Sequence, residues 1–147
     1  TRTGLYGVSP AFRRGWLCFI LALTVLPYLW GYWLTPRGYT YAWIIPPYPE
    51  DLLAYRAWSL QAYNGHLLFS IKYTALAHAP FLFHPFFLLC GWISRLCQID
   101  IGIVHLGMKS VGVILFFLTF FRFLEHFKLS RLAATAASVL VGLSSGF

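Results

Sequence analysis

Acid is what this chain of 147 residues has least of: four aspartates and glutamates stand against eleven lysines and arginines, and charged residues make up only 10% of it. An average soluble domain carries about 25%. A proton or ion path needs several ionisable groups deep in a membrane, and here only Lys109 lies well inside an apolar run. Ion transport is therefore disfavoured. Cysteine is sparse as well: Cys18, Cys90 and Cys97 make neither a paired CxxC zinc motif nor a CxxCH haem-attachment motif, and no metal site is expected. Their odd number leaves one thiol unpaired. Cys90 and Cys97, two helical turns apart, are expected to share a face and to be buried as small hydrophobes. The length leaves room for one compact unit and no separate soluble domain.

What is present is apolar. Hydrophobic residues reach 59% and aromatics 20%, with a mean hydropathy of +0.69. The run from Trp16 to Leu34 contains no charge and has arginines on both sides. A stretch of about 20 such residues, at 1.5 Å rise each, matches a hydrocarbon core of roughly 30 Å. The expected fold is therefore all-α and integral to the membrane, a multi-pass protein of a bacterial inner membrane. Arg13 and Arg14 before an apolar stretch resemble a signal peptide, but the stretch is too long and no small-residue cleavage site follows, so a retained helix is expected. The basic residues stand singly or in pairs beside apolar runs. That is the distribution of headgroup anchors rather than of a nucleic-acid stripe, and no nucleic-acid partner is expected.

Hydrophobicity predicts a single membrane domain over residues 1–147 with three or four transmembrane or re-entrant segments, near 15–34, 80–96, 101–124 and 132–147, and an outer interfacial loop over 35–79. Pro27 is expected to bend the first span. The second is short and is weakened by Pro85 and Gly91. Gly102, Gly107, Ser110 and Gly112 would let another helix approach the third closely. Within the loop, Pro36, Pro46, Pro47 and Pro49 forbid a continuous helix, and Tyr39, Tyr41, Trp43 and Tyr48 suit the headgroup zone. A short interfacial helix is predicted from Glu50 to Asn64, closed by Gly65, with Leu53, Ala57, Leu60 and Asn64 on one face. Arg2, Arg13 and Arg14 place the N-terminus on the cytoplasmic side. A crossing second segment puts Arg122, Lys128 and Arg131 outside, against the positive-inside rule; one that only dips into the membrane puts them inside.

The candidate chemistry lies in the loop. Glu50 and Asp51 form an acidic pair at the predicted helix start, where they complement the helix dipole and where a carboxylate can act as general base on a hydroxyl. The order PPYPEDLLAYRAWSLQAYNGH, then HAPFLFHPFFLLCGWISRL, then RLAATAASVLVGLSSGF resembles the N-terminal portion of the GT-C class of membrane glycosyltransferases. The resemblance implies a polyprenyl-phosphate sugar donor, Asp51 or Glu50 as catalytic base, and Arg56, Lys72 or His84 as partners of the lipid phosphate. Two histidines in or beside membrane segments, His84 and His105, have the chemistry to ligate haem iron or the magnesium of a chlorophyll-type pigment; a hydrogen bond to a backbone carbonyl is the bland alternative. Asp100 and Lys109 are too far apart along one helix to pair and are expected to meet headgroups or water, whereas Glu125 is one turn from Lys128.

Phe81, Phe83, Phe86 and Phe87, with Phe116, Phe117, Phe120, Phe121 and Phe123, cover several helix faces, so more than one face needs an apolar neighbour. Lipid, carotenoid or partner helices would supply it. The function expected from these features is a noncatalytic membrane subunit that packs against other integral-membrane subunits and lipids in an energy-transducing or pigment-bearing complex. The alternative is the N-terminal part of a GT-C-type glycosyltransferase.

Overall fold

A computed structural model describes residues 7–43, 49–72 and 78–144; Pro46, Pro47, Tyr48 and the side chain of Glu50 lie outside what it describes. Among the described residues there are five helices and no strand: α1 (Pro10–Leu34), α2 (Pro49–Tyr63), α3 (Pro85–Cys97), α4 (Ile101–His126) and α5 (Arg131–Leu143). Two of them, α1 and α4, are long and apolar enough to cross a membrane. The expectation was three or four transmembrane or re-entrant segments, of which these two have spanning length. At 13 residues each, α3 and α5 reach about 20 Å, well short of a hydrocarbon core of roughly 30 Å. Pro27 lies inside α1, and the helix continues through it. Contacts divide the chain into two compact units, Thr1–Val25 with Ser110–Phe147, and Leu26–Lys109.

The first unit is built on hydroxyl caps. Ser9 Oγ accepts the Phe12 N–H at 3.2 Å, with Pro10 at the first helical position, and Ser130 Oγ accepts the Ala133 N–H at the start of α5. Each side chain satisfies an N–H that the helix itself leaves open. Ile20, Phe117, Phe121, Leu124 and Ala134 form the buried centre with Val8. Arg13 reaches Glu125 and accounts for an acid that the sequence pattern had assigned to Lys128. Lys128 instead adopts a left-handed φ of 50°, where the chain leaves α4.

In the second unit α2 lies on α3. Their approach is set by Gly91, where an added Cβ would lie 2.5 Å from Ala62 Cβ and 2.7 Å from the Tyr63 nitrogen. The side of α2 that is buried is therefore its small-residue side, Ser59 and Ala62, flanked by Tyr55 and Trp58. Leu53 and Leu60, the face expected from hydrophobicity, are exposed. Gly65 closes the helix at a φ of +94°, a conformation that costs glycine little. Beyond it, Phe69 and Leu82 exchange backbone hydrogen bonds of 2.8 and 3.2 Å, and Gln61 holds Ser70 through the Ser70 N–H at 2.8 Å. The residues after α1 return over its last turn: Tyr32, Tyr41 and Trp43 pack ring on ring, with Tyr32 and Trp43 stacked at 5.6 Å. Trp43 covers Gly102, whereas Gly107 and Gly112 face open space.

Candidate functional site

The second unit gathers most of the polar side chains of interest. Pro49, Glu50 and Asp51 open α2, where a fixed φ and negative charge both favour a helix start. The Asp51 side chain is exposed. Arg56, just over one turn later, donates from Nη1 to the Ala42 carbonyl at 3.1 Å and to Asp100 Oδ1 at 3.2 Å, and from Nη2 to Asp100 Oδ2 at 2.9 Å. This bidentate fork joins α2, the segment after α1 and the start of α4. Asp100 also accepts the Gly102 N–H at 2.7 Å and so caps α4. The expectation that Asp100 would meet only headgroups or water is corrected: its partner comes from another helix, not from its own. Lys109 stands 5.6 Å from the centre of the Tyr28 ring, a cation–π contact.

Deeper in the unit, Ser59 Oγ and His105 Nε2 are 2.9 Å apart, and Ser59 is fully buried. The rings of Phe86 and Phe87 flank His105, and His84 lies against Phe87 with ring centres 4.4 Å apart. His105 thus spends one ring nitrogen on a serine that its sequence position did not reveal. Lys72 is exposed, away from the Arg56 cluster's hydrogen bonds. A cavity of about 280 Å³ opens beside Arg56 and Asp100, walled also by Tyr63, Ser94, Gln98 and Ile101. Gln98 ends α3 at a left-handed φ of 55° and Ser94 Oγ donates to the Ile99 carbonyl at 2.5 Å, so this wall is shaped by the turn between α3 and α4.

No protein family matches the sequence, and no curated protein or solved structure is detectably similar to it. The chemistry must be read from the side chains themselves. Among the described residues no group of three His, Cys, Asp or Glu side chains converges to hold a metal ion. Of the sequence-predicted residues, the fold brings Arg56 to Asp100 and sets both His84 and His105 against Phe87, while Asp51 and Lys72 are exposed. Cys90 is buried but Cys97 is exposed, which corrects the expected burial of both: Cys97 is the last residue of α3. Ser59 and the Ala42 carbonyl had no signal in the sequence. Asp100 had one, since an Asp just before an apolar helical run is an N-cap pattern.

The Arg56 fork makes a pH dependence. Burial alone would raise the Asp100 carboxyl, but the hydrogen bonds from Arg56 and Gly102 and the Arg56 charge outweigh it and hold the group below its ordinary 3.8. A depressed carboxyl contributes stability that is complete above its unfolded pKa and is lost as pH falls through the folded value. The aromatic cover at Trp43 should thus be unchanged at about pH 6 and loosen below about pH 4. With the Asp100 side chain 38% exposed, the effect is screened to about 1 kcal/mol or less. Tryptophan emission followed down the pH range should red-shift in the native chain, and Asp100→Asn should remove that part of the titration. An unchanged titration in the variant would assign the loosening to another group.

Proposed function

We propose that this chain is a multi-pass membrane module whose residues 35–100 lie at the outer membrane surface and present Asp51 as the general base of a GT-C-type sugar transfer from a polyprenyl-phosphate donor. Two helices of spanning length support the topology. With α1 crossing outward, α4 returning and α3 too short to cross, Arg13, Arg14, Arg122, Lys128 and Arg131 all fall on the cytoplasmic side, as the positive-inside rule asks. One observation carries the chemistry. Asp100 and Glu125 are each taken up by an arginine, and Asp51 is exposed with no ion pair among the described residues. Among the acids whose side chains are described, it is the one left with an open coordination sphere. In the reaction an acceptor hydroxyl would give its proton to Asp51 while its oxygen bonds to the anomeric carbon and the polyprenyl phosphate leaves. Two spans do not enclose a lipid-linked donor, so further membrane helices complete the site.

Asp51→Asn should lower transfer from a polyprenyl-phosphate sugar by about 10²-fold or more, the usual contribution of a general base, with normal expression and membrane insertion. Retention of full transfer activity by the variant would remove Asp51 from the chemistry. A noncatalytic subunit is the second reading, favoured by Arg56 being engaged by Asp100 rather than free for a phosphate. In that case Asp51→Asn changes stability by at most about 1 kcal/mol, since Asn still suits a helix start, and a stoichiometric membrane partner co-purifies in mild detergent.

A further inference from the structure

The cavity beside Arg56 is walled by one unit of the chain: Arg56, Leu60 and Tyr63 share a face of α2, Ser94 comes from α3, and the turn into α4 closes it. Its volume of about 280 Å³ falls just under the roughly 300–1,000 Å³ of pockets for drug-sized ligands, so it has room for one small ring. Its charges are balanced. Among the described residues of the wall Arg56 is the cation and Asp100 the acid, and they meet at 2.9 Å, so an anion finds no uncompensated positive charge there. Hydrogen-bonding capacity of both kinds remains. Of the five N–H groups of an arginine, Arg56 uses three, on the Ala42 carbonyl and on both Asp100 oxygens, and keeps two. Gln98 gives one amide hydrogen to the Arg95 carbonyl at 2.6 Å and keeps a second hydrogen and its oxygen. The buried Ser94 hydroxyl donates to the Ile99 carbonyl and can still accept. Tyr63 adds a phenol and the face of a ring, and Leu60 and Ile99 add exposed apolar surface.

We propose that this cavity binds a neutral, hydroxyl-rich ring, an uncharged hexose unit, either as a free sugar or as the headgroup of a glycolipid. Each hydroxyl of such a ring both donates and accepts, which matches a wall that offers the N–H groups of Arg56 beside the oxygens of Gln98 and Ser94. Its C–H face is apolar and suits Tyr63, Leu60 and Ile99. A phosphate or carboxylate, by contrast, would have to compete with Asp100 for Arg56. Asp51 is not part of this wall. The site therefore does not rest on the sugar transfer proposed above, and the two fail separately: Asp51→Asn should leave this binding unchanged, and loss of binding in that variant would move the hexose to Asp51 and overturn the assignment.

The full chain is placed in phosphatidylcholine nanodiscs with monoglucosyldiacylglycerol or with diacylglycerol of the same acyl chains, and retained lipid is counted by native mass spectrometry. Methyl β-glucoside in the buffer is followed in parallel by saturation-transfer NMR. The glucosyl lipid should be retained about tenfold over diacylglycerol, the effect of one or two net hydrogen bonds. Gln98→Met alone, at an exposed position, should lower that ratio about threefold. In Tyr63→Phe/Gln98→Met, which removes polar atoms and keeps side-chain shape, it should fall to about one. Saturation transfer to methyl β-glucoside that the double variant abolishes supports the site as one for free sugar, and retained glycolipid without such transfer supports it as one for a lipid-borne headgroup. Equal retention of the two lipids with no transfer to methyl β-glucoside overturns the proposal. So does an unchanged ratio in the double variant, or displacement of the glucosyl lipid by millimolar inorganic phosphate, which would mark an anion site.

Discussion

Gly91→Ala should separate α2 from α3 and destabilise the second unit by about 3 kcal/mol, the upper end of what overpacking usually costs. The added methyl would meet Ala62 Cβ at 2.5 Å and the Tyr63 nitrogen at 2.7 Å. Neither is the mobile end of a side chain, so relief requires moving a helix axis. That movement would also draw apart Phe87, Phe69 and Leu88, the rest of this buried cluster. The same substitution at Gly107, where nothing lies within 4 Å, should be neutral or stabilising by up to about 1 kcal/mol, because alanine is the better helix former. Thermal unfolding of both variants in one detergent, with protease protection of the 49–97 region as a local readout, makes the comparison. Equal stabilities would show that the α2–α3 contact is not close-packed.

The native cysteines give an all-or-none test of topology. Cys97 is exposed where α3 ends, Cys90 is fully buried with its thiol pushed up to about 11 by that burial, and Cys18 lies on an exposed side of α1, a helix long and apolar enough to cross a membrane. A thiol reacts as its thiolate and only where reagent can reach it. In intact cells a membrane-impermeant maleimide should therefore label the chain once, at Cys97, and Cys97→Ser should abolish the signal. Labelling of Cys97 only after permeabilisation would mean that α3 crosses the bilayer. The outer placement of Asp51 would then be lost with it.

Much of the architecture could be read from residue order. The long uncharged run of α1 and the apolar stretch of α4 announce themselves by length, and the start and end of α2 by Pro49, Glu50, Asp51 and Gly65. The reach of α3 could not be read in the same way. Its flanking residues Phe81, Leu82 and Phe83 are as apolar as the helix, and they look like its continuation until the Phe69 and Leu82 backbones pair and draw that segment into a loop. Hydrophobicity put Leu53 and Leu60 on one face of α2 but did not say which side of the helix packs on α3. Gly91 decided that, because the closest helix approach is made over small side chains.

The candidate site divides along the same line. The scarcity of acid, the position of Asp51 at a helix start and the aromatic spacing on α4 are local properties, set by residue identity and by the repeat of the helix, and the sequence alone determined them. Which acids are spent in ion pairs is not local. Arg56 reaches Asp100 across 44 positions and Arg13 reaches Glu125 across 112, and only the packing of helices brings such charges within hydrogen-bonding range. Ser59 meets His105 for the same reason. Tertiary structure decided those partners, because a charge or hydroxyl pairs with whatever the fold carries next to it, and sequence separation does not encode that distance.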